Sequence, residues 1–316
     1  MTATSPEAET KPRVLFLDDE ERILKTMSAL FRSKYDVLTA TEGAAALEHL
    51  QRAHVHAVVS DQRMPGMTGV DFLRKARQVS PGTVRMLLTG YSDLQAIVGS
   101  INDGEIFRYI SKPWQNAELQ ATVAEAVAIG VKLANVKVAA SGPLRLNQRI
   151  DQALLVLSSQ KELVDQVTAL ADGTCEVLRA RTLREAVVIL QIKDVGVIVA
   201  EANAESEDVA LFLKLLKQKY PETVTLLVTP TADAEGAIEL INQAQLFRFL
   251  APPVTPTMLK ESLDAAISHA LALRATPVLL ERHTVQAVSK EREAQAGGWL
   301  LDGLRTLRSR LGLSAS

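Results

Sequence analysis

The chain has 316 residues, 47% of them hydrophobic and 23% charged, which is typical of a globular protein long enough for two domains. Its formal net charge of −2 excludes a broad electrostatic attraction to nucleic acid or to anionic membranes, although a local basic patch is still possible. The single cysteine, Cys175, excludes an intramolecular disulfide, and no apolar stretch is long enough to span a bilayer, so we expect a cytoplasmic protein.

After a polar, acidic segment at residues 1–11, which we interpret as a flexible arm, short apolar runs alternate with amphipathic stretches. The runs are rich in Val, Ile and Leu without interruption, as expected of strands that are buried on both faces. The alternation predicts a doubly wound parallel sheet of five strands. The predicted strands are Val14–Leu17, Val37–Ala40, Val55–Ser60, Val84–Leu88 and Phe107–Ser111. The predicted helices cover the stripe from Ile23 to Phe31, then Gly43–Arg52, Gly69–Val79, Asp93–Asn102 and Asn116–Leu133.

The same unit occurs a second time, 140 residues further along (154 minus 14). Val14–Asp18 (VLFLD) aligns with Leu154–Ser158 (LLVLS), and the register then continues without insertion or deletion. Such a register over more than a hundred positions predicts two copies of one α/β fold. Further matched pairs are Val58-Val59 with Ile198-Val199, Phe72-Leu73 with Phe212-Leu213, Thr89 with Thr229, and Phe107-Arg108 with Phe247-Arg248.

Between the copies, Ser141-Gly142-Pro143 interrupts any helix, because proline lacks an N–H and disfavours helix in the residue before it. Thr276-Pro277 begins a tail of about forty residues, which is too short for an ordinary domain. We therefore predict an arm (1–11), a first domain (12–135), a linker (136–151), a second domain (152–275) and a partly helical tail (276–316).

Polar side chains follow four strands of the first copy. Asp18 and Asp19 come after strand one, Asp61 after strand three, Thr89 after strand four and Lys112 after strand five. Because the carboxyl ends of parallel strands meet at one edge of a sheet, we expect these side chains to converge there.

Three carboxylates in one site repel each other, and a hard cation such as Mg²⁺ relieves that repulsion. A lysine ammonium and a threonine hydroxyl can hold two oxygens of a phosphoryl group, while one carboxylate acts as the nucleophile. Each residue alone has a structural interpretation: a helix-capping aspartate, a solvated lysine, or a threonine in a strand. Their joint placement at four strand ends favours phosphoryl transfer onto an aspartate.

Four segments resemble the sequence motifs of response-regulator receiver domains, over about residues 12–135. They are Val14–Glu20 (VLFLDDE), Asp61–Gly69 (DQRMPGMTG), Leu88–Tyr91 (LTGY) and Ile110–Trp114 (ISKPW). The stretch Ile101–Trp114 is also similar to receivers of hydrogenase regulators and of cyclic-dinucleotide phosphodiesterase regulators.

The resemblance implies a flavodoxin-like receiver fold with Asp61 as the phosphoacceptor. It implies that Asp19 and Asp61 ligate Mg²⁺, with Asp18 acting through water and the Arg63 backbone carbonyl as a further ligand. Thr89 and Tyr109 would be the switch pair, and Lys112 would hold a phosphoryl oxygen.

The second copy lacks most of these residues. Ser158, Ser159, Glu201 and Pro252 stand where the first copy has Asp18, Asp19, Asp61 and Lys112, while Thr229 matches Thr89. We therefore predict a degenerate pseudo-receiver. Glu201 either imitates a phosphorylated aspartate or is a tolerated polar residue. The second interpretation is favoured because, without a counterpart of Lys112, little is left for Glu201 to pair with.

The resemblance implies a signalling protein rather than an enzyme, with self-catalysed phosphotransfer and autodephosphorylation as its chemistry. Its partners would be a sensor histidine kinase or phosphotransfer protein and an output protein, and a homodimer is an option. Membrane is not expected as a partner, and neither is DNA. The alternatives are a transcriptional regulator that binds DNA through Arg305, Arg308 and Arg310 of the tail, and a phosphate sink.

Overall fold

The computed structural model describes residues 11–90, 106–134, 150–202, 207–230, 241–242, 244–277 and 279–280, with the backbone alone at 207 and 208. These residues fall into two compact units, which we call the first unit (residues up to 134) and the second unit (residues from 150). Within these ranges, no helix has both the length and the hydrophobicity required to cross a bilayer.

The first unit is a five-stranded sheet in the order β2-β1-β3-β4-β5, and every neighbouring pair is parallel. Strands β3 and β4 are buried along their whole length, and β1 is buried from its second residue, because helices cover both faces of the sheet. Edge strand β2 is largely accessible. The elements are β1 Arg13–Leu17, α1 Glu21–Phe31, β2 Asp36–Ala40, α2 Gly43–Arg52, β3 Ala57–Asp61, α3 Gly69–Val79, β4 Val84–Thr89, β5 Arg108–Ser111 and α4 Asn116–Ala134.

The second unit repeats this arrangement, with the strand order β7-β6-β8-β9-β10 and parallel pairing throughout. Strands β6 and β9 are buried along their whole length, and β8 is buried except for its last residue. The elements are β6 Ala153–Leu157, α5 Lys161–Ala171, β7 Val177–Ala180, α6 Leu183–Ile192, β8 Val195–Glu201, α7 Glu207–Lys219, β9 Val224–Val228, β10 Arg248–Leu250 and α8 Pro256–Ala275.

The prediction of two five-stranded parallel sheets is confirmed. Helices Gly43–Arg52 and Gly69–Val79 have the predicted bounds. The third strand begins at Ala57 rather than Val55, because Val55 is buried in the core while its carbonyl accepts a hydrogen bond from the Thr83 side chain instead of a neighbouring strand.

Several predictions concern residues outside the described ranges. They are the arm up to residue 10, the helix Asp93–Asn102, the linker up to residue 149 and the tail from residue 281. The predicted domain boundaries therefore stay predictions.

Candidate functional site

The structure brings the predicted carboxylates together at the carboxyl edge of the first sheet. Asp18 follows β1 and Asp61 ends β3, and both are buried, whereas Asp19 is exposed. Carboxylate oxygens of all three residues lie within 4.8 Å of one another. The convergence expected from parallel topology is thus present in the fold.

Lys112, which follows β5, bridges the two buried carboxylates. Its Nζ lies 2.6 Å from Asp61 Oδ1 and 3.3 Å from Asp18 Oδ2, and its side chain is 26% exposed. The cluster therefore contains three carboxylates and one ammonium, which contacts two of them. The cluster keeps a net negative charge that a divalent cation would neutralise.

These charges shift each other's titration. Burial raises the pKa of Asp18, and nearby Asp61 adds to the rise, while the Glu20 N–H and Lys112 oppose it. Burial alone would lower the pKa of Lys112, but its hydrogen bonds and ion pairs with Asp61 and Asp18 outweigh that effect and the pKa is raised. Lys112 is therefore held firmly as an ammonium between the carboxylates.

A short turn fixes the Asp18 side chain. The backbone N–H of Asp18 donates to the Ala40 carbonyl at 3.3 Å, and Asp18 Oδ1 accepts the N–H of Glu20 at 2.9 Å. The other carboxylate oxygen, Oδ2, is the one that meets Lys112. An aspartate at a strand end commonly accepts a backbone N–H two residues later, so this local geometry follows from residue type.

Gln62, which sequence reasoning missed, anchors the chain after Asp61. Its N–H donates to the Leu88 carbonyl at 3.0 Å, and its own carbonyl accepts the N–H of Gly69 at 3.0 Å. The side-chain oxygen also accepts the N–H of Val70 at 3.2 Å. The sequence shows only a polar residue directly after the predicted phosphoacceptor, and the structure shows that this residue holds the start of α3 against the site.

Gly69 allows this close approach of α3. A Cβ built at Gly69 would lie 2.1 Å from the Asp61 carbonyl oxygen and 2.7 Å from Leu87 Cδ1. Thr68 caps the helix by accepting the N–H of Asp71, and its hydroxyl donates to the Asp71 carboxylate. The loop that follows Asp61 is thus fixed by a helix cap and by the absence of a side chain at residue 69.

The predicted switch residues lie on adjacent strands. Thr89 is buried at the end of β4, where its hydroxyl donates to the Gly90 carbonyl at 3.3 Å and its carbonyl accepts the N–H of Lys112 at 2.8 Å. Tyr109 is buried on β5, and burial raises the pKa of its phenol well above the ordinary value. Their role as a switch pair stays a prediction.

Arg63 also contacts the site through its backbone. Its N–H donates to Asp61 Oδ2 at 3.1 Å, while its side chain is exposed. Asp61 therefore has one oxygen on Lys112 and the other on this N–H. The predicted role of the Arg63 carbonyl as a metal ligand stays a prediction.

At the corresponding edge of the second unit, the side chains form different hydrogen bonds. Ser158 follows β6, and its hydroxyl donates to Glu201 Oε2 at the end of β8. Our expectation that little is left for Glu201 to pair with was therefore wrong. It overlooked that the serine replacing Asp18 can donate a hydrogen bond, which an ionised aspartate cannot do.

The other described positions that correspond to the first site, Ser159, Thr229 and Pro252, offer neither a second carboxylate nor a lysine. Ser159 is exposed, and its carbonyl accepts from the Arg179 guanidinium at 3.2 Å. Thr229 is buried, with its hydroxyl on the Pro230 carbonyl. Pro252 supplies no ammonium and no backbone N–H. Among the residues described here, Asp18, Asp19 and Asp61 are the group whose geometry suits a metal.

Residues 14–124 match the family model described as response regulator receiver domain, so this part of the chain is a receiver domain. The hydrogenase transcriptional regulatory protein HoxA of Bradyrhizobium diazoefficiens is 40% identical over 114 residues, which is 36% of this chain and 24% of that protein. HoxA of Cupriavidus necator is 33% identical over 191 residues, covering 58% of this chain and 39% of the relative. The chain thus spans well under half the length of these two regulators.

Among solved structures, the signal receiver domain of an HD domain-containing protein from Pseudomonas fluorescens Pf-5 is 32% identical, with a TM-score of 0.39. The match covers 42% of this chain and 99% of that one. The similarity to hydrogenase regulators that we noted from the sequence agrees with the two HoxA proteins. Both are named as transcriptional regulators, which partly conflicts with our expectation that DNA is not a partner.

Proposed function

We propose that the chain is a response regulator of a two-component system, in which Asp61 accepts a phosphoryl group from a histidine kinase with Mg²⁺ bound. The observation that supports this most is the cluster of Asp18, Asp19, Asp61 and Lys112 at the strand ends of a receiver domain. A cluster of three carboxylates with one lysine has little use in packing and suits phosphoryl transfer.

The two oxygens of Asp61 have separate environments. Oδ1 pairs with Lys112 and Oδ2 accepts the Arg63 N–H. In the proposed transfer an Asp61 oxygen attacks phosphorus, the P–N bond to the kinase histidine breaks, and the histidine nitrogen keeps the electron pair. Lys112 is within reach of the oxygens that gain charge. Bound at the carboxylates, Mg²⁺ would neutralise the incoming phosphoryl oxygens.

The acyl phosphate adds about −1.5 to −2 charge and three acceptor oxygens next to buried groups. The Thr89 hydroxyl donates to the Gly90 carbonyl over a long 3.3 Å, and it would turn from there toward the phosphoryl oxygens. A shift of Thr89 would open space near Tyr109 on the adjacent strand. Phosphorylation then biases an existing equilibrium between two states, and a protein partner distinguishes them.

For the second unit we propose a pseudo-receiver that keeps the fold without phosphotransfer. The support is the shared strand order together with the loss of the acidic pair and the lysine. Among the described residues that correspond to the first site, Glu201 is the single carboxylate, and it already accepts from Ser158, so these positions offer little affinity for Mg²⁺.

Transcriptional regulation is the second candidate, because both HoxA relatives carry that function in their names. A DNA-binding regulator would show affinity that falls steeply with salt, since phosphate contacts release counterions. Gel shifts on random duplex DNA at low and high salt, with and without phosphorylation, would favour this candidate if binding appears and is salt-dependent.

Intact-protein mass spectrometry after incubation with acetyl phosphate and Mg²⁺ tests the main proposal. We expect one added phosphoryl group on the parent chain, its loss in Asp61→Asn, and its retention in Glu201→Gln. Glu201→Gln is the matched control, because it changes the corresponding position of the second unit by the same chemistry.

A phosphoryl group that persists in Asp61→Asn would overturn the assignment of the acceptor. If the parent gains no mass, beryllofluoride titration separates the remaining cases. Binding that requires both Mg²⁺ and Asp61 indicates a competent site with a short-lived acyl phosphate, and absence of binding contradicts the proposal.

A further inference from the structure

Helix α6 of the second unit exposes two apolar side chains one helical turn apart. Val188 is 55% exposed and Ile192 is 67% exposed, the largest values among the big hydrophobic residues of the described chain. We call this pair the α6 patch. Residues four apart on a helix are neighbours on its surface, so the two side chains form one continuous apolar strip.

The first unit has an ion pair at the same two positions of α2. Glu48 and Arg52 are the residues 140 positions earlier, and Arg52 Nη2 lies 3.0 Å from Glu48 Oε2 with both side chains exposed. The buried faces of the two helices remain apolar in both units. The α6 patch is therefore not needed to cover the sheet, and it replaces charges that keep the equivalent surface in water.

The chain leaves the second unit close to this patch. Arg274, in the last turn of α8, forms an ion pair with Asp194, which lies two residues after Ile192. Leu279 is buried, and its N–H donates to the Thr276 carbonyl, so the chain stays against the unit just beyond α8. The segment from residue 281 therefore begins seven residues after Arg274, which contacts the residue two places beyond α6.

That segment has an apolar stripe of its own in the sequence. Leu300, Leu304, Leu307 and Leu311 follow one another at spacings of four, three and four, which is the pattern of one helix face. About twenty residues separate the stripe from Leu280, and an extended chain covers roughly 3.3 Å per residue, so the stripe can reach α6.

The size of the α6 patch favours this tethered segment over a second copy. Stable interfaces between separate proteins bury about 1,200 Å² or more, which two side chains and their surroundings do not supply. A tethered segment avoids most of the association cost, because its effective concentration is on the order of millimolar. A small apolar contact is then sufficient.

We propose that residues 299–311 pack as an amphipathic helix on the α6 patch of the same chain, with the leucine stripe against Val188 and Ile192. The contact does not depend on phosphorylation of Asp61. The tail is thereby docked on the second unit, and a protein partner that binds either the tail or the α6 patch could displace it.

Disulfide trapping tests the proposal in the full-length chain with Cys175→Ala. Val188→Cys is combined in turn with Leu300→Cys, Leu304→Cys and Leu307→Cys, and each pair is matched by a control with Glu48→Cys, the equivalent position of the first unit. We expect at least one Val188→Cys pair to close an intramolecular disulfide at least about tenfold faster than its control. Ile192→Cys replaces Val188→Cys if the latter reduces folding.

The outcomes separate the possible occupants. Equal rates for the α6 pairs and the Glu48→Cys controls would overturn the proposal, because they describe a tail without a docking site. Covalent dimers in place of the intramolecular product would also overturn it and assign the patch to a second copy.

Limited trypsin cleavage at Arg305 and Arg308 gives an independent readout. The double variant Val188→Glu/Ile192→Arg installs the ion pair of the first unit, and we expect it to raise the cleavage rate at these sites several-fold. The control Glu48→Arg/Arg52→Glu reverses the ion pair on α2 and should leave the rate unchanged. An unchanged rate in the α6 variant would contradict docking.

Discussion

The carboxyl ends of β1 and β6 carry the same backbone turn with different side chains. Asp18 accepts the N–H of Glu20 at 2.9 Å, and the Ser158 hydroxyl accepts the N–H of Gln160 at the same distance. Across the sheet, Asp18 and Asp61 are joined through the Lys112 ammonium, whereas Ser158 bonds Glu201 directly. In the first unit, ionic contacts thus join the residues at the ends of two strands. In the second unit, a hydrogen bond between side chains joins the corresponding residues.

This difference separates the residues that the fold needs from those that the proposed chemistry needs. A parallel sheet with the same strand order forms in both units, so the buried carboxylates of the first unit are not required for folding. Burying a carboxylate costs free energy unless it is paired. The first unit pairs Asp18 and Asp61 with Lys112, whereas the second unit folds without this buried ionic cluster, as expected if the cluster serves a reaction rather than folding.

The strongest way to break the comparison is to give the first unit the serines of the second. In Asp18→Ser/Asp19→Ser, two of the three carboxylates are lost, and we expect the affinity for Mg²⁺ to fall at least about a thousandfold, or about 4 kcal/mol. Isothermal titration calorimetry measures it directly. Ser158→Ala/Ser159→Ala is the matched control and should leave Mg²⁺ binding unchanged. Binding that survives in the Asp18→Ser/Asp19→Ser variant would place the metal elsewhere.

The next largest effect concerns α3, the helix that follows β3. A Cβ at Gly69 would overlap the Asp61 carbonyl, so Gly69→Ala must displace α3 or Asp61, and we expect a loss of about 3 kcal/mol in the free energy of unfolding. In the second unit the equivalent residue is Val209, which already has a side chain. Val209→Ala should cost about 1 kcal/mol, and urea denaturation compares the two. A loss near zero for Gly69→Ala would show that α3 moves freely.

The sequence predicted the elements and the convergence of the acidic residues, because both follow from periodicity and from parallel topology. It predicted α2 and α3 to the residue, since Gly43 and Gly69 mark helix starts that a pattern reveals. It missed the anchoring role of Gln62 and the bond from Ser158 to Glu201. The first is a bond between a side chain and a backbone N–H eight residues later, and the second joins side chains at the ends of different strands. Spacing along the chain encodes neither distance.

The environment of Lys217 on α7 predicts that the stability of the second unit depends on pH through this group. Lys217 is 3% exposed, and its Nζ donates to the carbonyls of Pro221 at 2.6 Å and Thr223 at 3.0 Å. Burial lowers its pKa from 10.5 to about 7, although Glu222 opposes the change. The equivalent residue of the first unit, Arg77, is half-buried.

Between pH 7 and 10.5 the unfolded chain therefore binds a proton that the folded second unit does not. Above the unfolded pKa of 10.5, Lys217 is neutral in both states and its burial does not cost the folded unit a proton. As the pH falls toward the folded pKa of about 7, the unfolded chain gains a proton and the second unit loses stability. We expect the free energy of unfolding of the second unit to rise by up to about 1.4 kcal/mol per pH unit across this window. Peptide-resolved hydrogen exchange measures it, after correction for the intrinsic exchange rate. Lys217→Met should remove the slope and Arg77→Met should not, and a slope that persists in Lys217→Met would assign it to another group.

The smallest expected effect tests the hydrogen bond that replaces the ionic bridge. Ser158→Ala removes the donor to Glu201 and also the acceptor for the Gln160 N–H, and we expect the second unit to lose about 1 kcal/mol. The loss is modest because Glu201 is half-buried, so water can hydrogen-bond its carboxylate in place of the Ser158 hydroxyl. Ser159→Ala, at an exposed neighbouring residue, should change stability by less than about 0.5 kcal/mol. If both variants lose the same free energy of unfolding in chemical denaturation, the hydrogen bond between Ser158 and Glu201 does not stabilise the second unit. Its similarity to the Lys112 bridge is then limited to its position in the fold.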